Sequence, residues 1–379
     1  MQAASGIVLL AAATAALVWA NSPAAPLYDA IWKAVLGVNL GPFSFERDLH
    51  WWVNDGLMTL FFFVVGLEIR REMHAGELSD LRRAALPLAA AVGGMLVPAA
   101  IYALFNAGHA TSAGWGVPMA TDIAFAVGVL ALLGDRVPPA LRILLLALAV
   151  IDDLGAIVVI ALFYSDGVNL AALGLAGVGL AGIVGLQLFG VRAVAAYVPL
   201  ALVAWGATYT SGVSPTVAGV LIGLLAPVGR AEHALSGWVA WFVMPLFAFA
   251  NAGVSLGSLS FAGDGWRVFV GITAGLVVGK ALGVFAAARA ATAIGFAALP
   301  RGVRWSDVTV VGGVAGIGFT MALFVAQLAF VPGPTLETAK LAILAASVIA
   351  GVGGYLLGRS VLGTERRPEA AQTAAEAEG

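Results

Sequence analysis

Two adjacent carboxylates, Asp152 and Asp153, stand inside the apolar run Ala149-Val150-Ile151-Asp152-Asp153-Leu154-Gly155-Ala156-Ile157-Val158-Val159-Ile160. An ionised side chain at the centre of a bilayer costs at least about 2.5–3.5 kcal/mol on insertion scales, so such residues face cavities and mark ion paths. Neighbours on a helix point about 100° apart. One carboxylate can therefore face an aqueous cavity while the other faces a packed helix. Burial and mutual repulsion both oppose ionisation of such a pair. Deprotonated, the pair offers hard oxygen ligands to a small hard cation, and protonation removes those ligands. Proton and cation then compete for the same atoms, which suffices for exchange if the site opens to one side at a time. The alternative is a structural pair satisfied by its neighbours.

Three further charges fall in apolar surroundings: Asp55, Asp122 and Lys280. Lys280, in Gly-Leu-Val-Val-Gly-Lys-Ala-Leu-Gly-Val, either offsets one aspartate while the cation is absent or compensates helix dipoles. Asp122, in Pro-Met-Ala-Thr-Asp-Ile-Ala-Phe, is bracketed by Pro118 and Gly128, which predicts an interrupted helix. A matching weak place is the glycine-rich stretch Gly312–Thr320. Paired broken helices in the two halves of a chain point to a transporter site, although small residues also serve close helix packing.

The elements that must position these groups are membrane helices. Of the 379 residues, 61% are hydrophobic and 11% charged, against about 25% charged in soluble domains. A crossing helix needs about 20 apolar residues, which allows roughly ten to twelve crossings. A barrel would alternate apolar and polar residues, whereas these blocks are apolar on every face. Spans are predicted at 6–21, 52–73, 85–106, 115–134, 138–164, 168–190, 193–210, 213–228, 232–256, 266–290, 306–330 and 336–358. Cysteine is absent, which excludes disulfides and thiolate chemistry, and the net charge of -2 carries no nucleic-acid signal.

With the N-terminus in the cytoplasm, fourteen basic residues fall on the cytoplasmic side and only Lys33, Arg47, Arg267 and Lys340 on the other. That bias follows the positive-inside rule and places both ends inside. No basic residue precedes the first apolar block, so it is read as a membrane helix and not a signal peptide. Residues 1–362 form one transmembrane domain. Residues 363–379, rich in Ala, Glu and Arg, are expected to be a disordered cytoplasmic tail. Residues 38–50, where Phe43 and Phe45 alternate with polar residues after Gly41-Pro42, give a weak hairpin signal against a plain loop.

At these residues the chain resembles the NhaA family of bacterial sodium/proton antiporters. The resemblance runs from about Gly6 to Arg359. It rests on Trp52-Val53-Asn54-Asp55-Gly56-Leu57-Met58, Val65-Gly66-Leu67-Glu68, Ala120-Thr121-Asp122-Ile123-Ala124-Phe125-Ala126 and Ile151–Ala156, then Pro245–Gly253 and Gly316–Met321. It implies an all-α membrane fold of about twelve helices with inverted-topology repeats, spans four and eleven being unwound and crossing near mid-membrane. It implies that Asp152 and Asp153 bind Na+ or Li+ and carry protons, and that Asp122 and Thr121 sit at the crossing, with Asp122 offsetting positive helix ends. It implies that Lys280 offsets the negative ends and pairs with Asp152. The exchange it implies moves more protons than sodium ions, with no cofactor, in the inner membrane, by a homodimer held through the external hairpin. A pH-responsive cluster maps onto Glu68, Arg71, Glu72 and Glu232, against the plainer reading of solvated charges at helix ends. One departure touches that function: Ser214 stands where family members often carry His.

Three rival classes account for less, and one of them, a non-transporting scaffold, leaves five membrane-embedded charges unexplained. A channel would show no competition between cation and proton. An intramembrane enzyme lacks support, because no Gly-x-Gly-Asp motif surrounds any aspartate and His50, His74, His109 and His233 fall near span ends.

Overall fold

The computed structural model describes residues 2–40, 43–165, 167–191, 193–226, 235–259, 261 and 263–363. The hairpin tip at 41–42, Glu232 and residues 364–379 therefore lie outside the described residues.

Helices dominate. Among the described residues, six helices are long and apolar enough to cross a membrane: α3 (Leu49–Ala75), α4 (Leu81–Asn106), α6 (Pro139–Phe163), α7 (Leu170–Leu188), α11 (Gly265–Ala293) and α14 (Pro334–Val361). Three shorter apolar helices accompany them: α8 (Val194–Thr210), α9 (Pro215–Leu225) and α10 (Leu235–Asn251). Three pairs are bent at a short break. Helix α1 (Gln2–Ala20) turns by 116° into α2 (Ala25–Trp32). The 3-10 run Ala110–Met119 meets α5 (Ile123–Leu132) at 44°, and α12 (Trp305–Ala315) meets α13 (Phe319–Ala329) at 48°.

Side chains such as Leu104, Leu188 and Phe189 are exposed on the outside of the bundle, as expected of a surface solvated by lipid. With no hydrophobic drive between helices in lipid, close packing through small residues takes over. Gly93 of α4 meets Gly283 of α11, where a Cβ on Gly93 would stand 2.2 Å from the Gly283 carbonyl oxygen. A second crossing joins α3 to α9, where a Cβ on Gly66 would stand 2.4 Å from the Val220 oxygen.

Strands β1 (Val35–Leu40) and β2 (Phe43–Asp48) pair antiparallel, with Val35 opposite Asp48 and Leu40 opposite Phe43. They start ahead of the 38–50 window, and residues 49–50 already belong to α3. The hairpin is fastened to its own chain: Arg47 donates from Nε to the Tyr209 hydroxyl at 2.8 Å, and the Phe45 and Tyr209 rings lie 6.0 Å apart.

Two features have no counterpart in the sequence reading. Helix α2 starts where Pro26 in its first turn presets φ, within a segment read as loop. Single π-type turns interrupt α3 at Trp52–Leu57, α10 at Val239–Val243 and α11 at Gly275–Gly279. Each adds one residue to a turn, and such bulges concentrate at functional places. The third ends directly before Lys280.

Candidate ion-binding site

The two breaks meet each other. Within the first the backbone is extended at Ala120 and Asp122, and the Asp122 amide donates to the Ile317 carbonyl, in the second, at 2.7 Å. The glycines of the second break permit this approach. A Cβ on Gly316 would come within 2.4 Å of the Leu276 oxygen, in the π-type turn of α11. A broken helix and close small-residue packing, opposed readings in sequence, thus coexist here.

A break exposes two new helix ends, each with unsatisfied backbone groups and part of the helix dipole. Asp122 serves two positive ends at once. Its Oδ1 accepts from the Phe125 amide at 3.0 Å, in the first turn of α5. Its Oδ2 accepts from the Thr320 amide at 3.2 Å, in the first turn of α13, and from the Thr320 hydroxyl. Thr121 serves a negative end: its Oγ1 lies 2.9 Å from the Ala315 carbonyl that closes α12. The same hydroxyl lies 2.7 Å from Asp152 Oδ2. One hydroxyl has one proton, so Thr121 donates to only one of these acceptors at a time.

Lys280 Nζ donates to Asp152 Oδ2 as an ion pair, and neither side chain has any exposed surface. Gly94 lies beside it, where a Cβ would touch Nζ at an ordinary 3.7 Å and press on Val284 Cγ2 at 2.9 Å. Asp152 Oδ1 and Asp153 Oδ1 are buried and accept no hydrogen bond. Asp153 lies within electrostatic reach of Asp152, Glu68, Asp122 and Lys280. Together with Asp122 and Glu68 it lines a cavity of about 270 Å³, to which Ser5, Ser236 and Met321 also contribute. The adjacent carboxylates therefore differ as their spacing on the helix requires: Asp152 is tied into packed protein and Asp153 borders open space. Among the described residues no three His, Cys, Asp or Glu side chains cluster as a metal site.

The other residues singled out in the sequence fall elsewhere. Asp55 is half-buried in the π-type turn of α3, thirteen residues ahead of Glu68 and so about 20 Å away along a helix axis. Glu72 folds back so that its Oε2 accepts from the Glu77 amide at 3.1 Å. Arg71 is exposed on the same turn. Ser214 is buried and shares a 2.7 Å hydrogen bond with the Thr216 hydroxyl.

A polar ladder went unseen in the sequence. Gln327 Nε2 donates to Asn251 Oδ1 at 2.7 Å, Asn251 Nδ2 donates to Asn54 Oδ1 at 2.8 Å, and Asn54 Nδ2 stands 3.0 Å from His50 Nδ1. It links α13, α10 and α3. Beside it Phe324 packs against Phe62 at 5.2 Å and Phe247 at 6.3 Å between ring centres. The available signal was an amide in each of two motifs, Asn54 and Asn251, inside predicted spans.

Comparison with known proteins follows the same residues. The profile of the family described as Na+/H+ antiporter 1 matches residues 1–357. A protein of Myxococcus xanthus named Na(+)/H(+) antiporter NhaA 2 is 51% identical, over 100% of this chain and 91% of its own length. One of the same name from Sorangium cellulosum is 50% identical, over 100% and 92%. The Na(+)/H(+) antiporter NhaA of Oleidesulfovibrio alaskensis is 45% identical, over 98% and 94%. A profile match of this extent, with relatives of this identity, places the whole apolar chain: it belongs to the Na+/H+ antiporter 1 family.

Proposed function

We propose that this chain exchanges Na+, or Li+, for H+ across a bacterial inner membrane by competition of the two cargoes for Asp152 and Asp153. The observation that carries the reading is a pair of adjacent buried carboxylates, each with an oxygen that accepts no hydrogen bond, one of them bordering a cavity. Relatives named as Na+/H+ antiporters support it. Two carboxyls can carry two protons against one monovalent cation, so the exchange moves net charge. A cation bound here completes its oxygen shell from hydroxyls, carbonyls or water. Asp122 holds the positive ends of α5 and α13, while Lys280 and Thr121 work on the Asp152 side. When Asp152 is charged, Thr121 and Lys280 both donate to it. When Asp152 is protonated, its carboxyl can donate a hydrogen bond to Thr121 Oγ1, whose own hydrogen then turns to the Ala315 carbonyl. The decisive assay is transport in proteoliposomes under Na+, Li+ and K+ gradients across pH. Proton release driven by Na+ supports antiport, whereas Na+ flux without proton movement describes a channel.

The six long helices, three bent pairs and three shorter helices support twelve crossings, with spans four and eleven interrupted and both ends cytoplasmic. Glu68 lies two residues from Arg70, so the cavity faces the arginine-rich side and the site opens to the cytoplasm. On this reading the ladder and the three phenylalanines close the outward route. Gln327→Leu removes one rung, and a net hydrogen bond contributes about 1 kcal/mol, which shifts a two-state balance about fivefold. The chain contains no cysteine, so a single Ser236→Cys in the cavity reports access. Its labelling by a maleimide from the cytoplasmic side is expected to slow in the Gln327→Leu background, by at most about fivefold. Unchanged labelling would remove the ladder from gating.

Glu68, Arg71, Glu72 and Glu232 are proposed to set the pH response, Glu68 most directly because it shares the cavity with Asp153. Asp55 supports the outward route. The hairpin is proposed to join two copies into a homodimer. Deleting Gly41–Asp48 is expected to convert dimer to monomer in detergent while exchange persists; an unchanged mass would discard this role.

A further inference from the structure

A groove of about 350 Å³ lies where the first turns of α4 and α6 approach the segment 298–300. Its wall is apolar, made of Leu86, Pro87, Ala140, Ile143, Leu144 and Leu299. Its mouth carries Arg82 and Arg83, both exposed and without an ion pair among the described residues. Acids are also near. Glu77 lines the groove, and Asp80 accepts from the Arg82 amide at 2.9 Å. Two further bases flank it in the chain: Arg301 follows Pro300, and Arg142 precedes Ile143 with its guanidinium on the Gly134 carbonyl at 3.0 Å. Within the lining itself two arginines stand against the single Glu77, which leaves the mouth positive.

We propose that this groove binds an anionic phospholipid of the surrounding leaflet, its phosphodiester on Arg82 and Arg83 and the upper part of one acyl chain between α4 and α6. The first turns of two crossing helices place the arginines at headgroup depth and Leu86, Pro87 and Leu144 one turn deeper. A zwitterionic lipid brings a second, cationic group that gains nothing from arginines. The chain's own C-terminal segment starts close by, since Arg304 donates to the Val361 carbonyl at 3.1 Å. It carries glutamates, but Gly363–Gly379 has no apolar side chain larger than Pro, so its composition does not suit the apolar wall.

Binding is measured on the full chain by native mass spectrometry, titrating phosphatidylglycerol against phosphatidylcholine with the same acyl chains. An arginine near the surface typically strengthens anionic-lipid binding about fivefold, so the pair should favour phosphatidylglycerol at least about tenfold. Arg82→Gln with Arg83→Gln is expected to bring the two lipids level. Ala140→Trp, which fills the groove, is expected to weaken both; should it fail to fold, the exposed arginine pair still decides. A chain ending at Leu362 should bind as the full chain does. Equal retention of the two lipids by the unmodified chain, or an unaffected arginine variant, would overturn the proposal. Loss of the phosphatidylglycerol preference in the truncated chain would overturn it as well, by assigning that preference to Arg366 and Arg367 of the tail. No ion gradient enters these measurements, so their outcome is independent of the transport reading.

Discussion

Asp153→Asn is expected to abolish Na+-driven proton movement in vesicles while leaving the fold intact. The amide keeps the size of the carboxylate and one of its oxygens, so packing around α6 is preserved. It cannot titrate, and it offers a dipole where the cation needs a charge. Two unit charges 4 Å apart attract by about 4 kcal/mol at an effective dielectric of 20, which corresponds to about a thousandfold in affinity. Thermal unfolding in detergent should stay close to that of the unmodified chain, because the buried Asp153 Oδ1 has no hydrogen bond to lose. Retained exchange at ordinary rates would refute a role for Asp153 as the titrating ligand.

Lys280→Met is expected to cost more stability than any other single change considered. Methionine keeps most of the aliphatic stem and removes the charge. The Asp152 carboxylate then stays buried with Thr121 as its remaining partner. Breaking a buried pair from one side costs about 3–5 kcal/mol, whereas replacing both partners is often neutral. Adding Asp152→Asn to Lys280→Met should therefore restore most of the lost melting temperature. That rescue separates the two roles open to the lysine. If Lys280 mainly compensates the carbonyl end of α12, neutralising Asp152 would restore nothing.

The charged residues of the site were legible because apolar surroundings make each of them costly. Asp152, Asp153, Asp122 and Lys280 stand out for that reason, and the structure brings these four together around the two breaks. What periodicity could not supply was partnership. Nothing in the run around Asp122 says that one carboxylate caps two helices almost 200 residues apart, because that depends on how the breaks cross. The amides of Asn54, Asn251 and Gln327 were invisible for a related reason. A neutral amide costs less than a charge in an apolar span, so it stands out only once its hydrogen-bond partners are known. The π-type turns leave no mark at all in composition; the turn at Gly275–Gly279 reads as ordinary helix in sequence. Of the residues expected in a pH response, Glu68 reaches the cavity and Glu72 is spent on the Glu77 amide. Glu232 lies outside the described residues.

The competition between cargoes is tested most directly by isothermal calorimetry of Na+ binding to the purified protein over a range of pH. If the cation displaces protons from the carboxylate pair, the apparent Kd rises on acidification by about tenfold per pH unit for each proton displaced. The heat should then change with the ionisation enthalpy of the buffer, and Asp153→Asn should remove both effects. An affinity that stays constant from acid to alkaline conditions, with no proton released, would contradict exchange at a shared site.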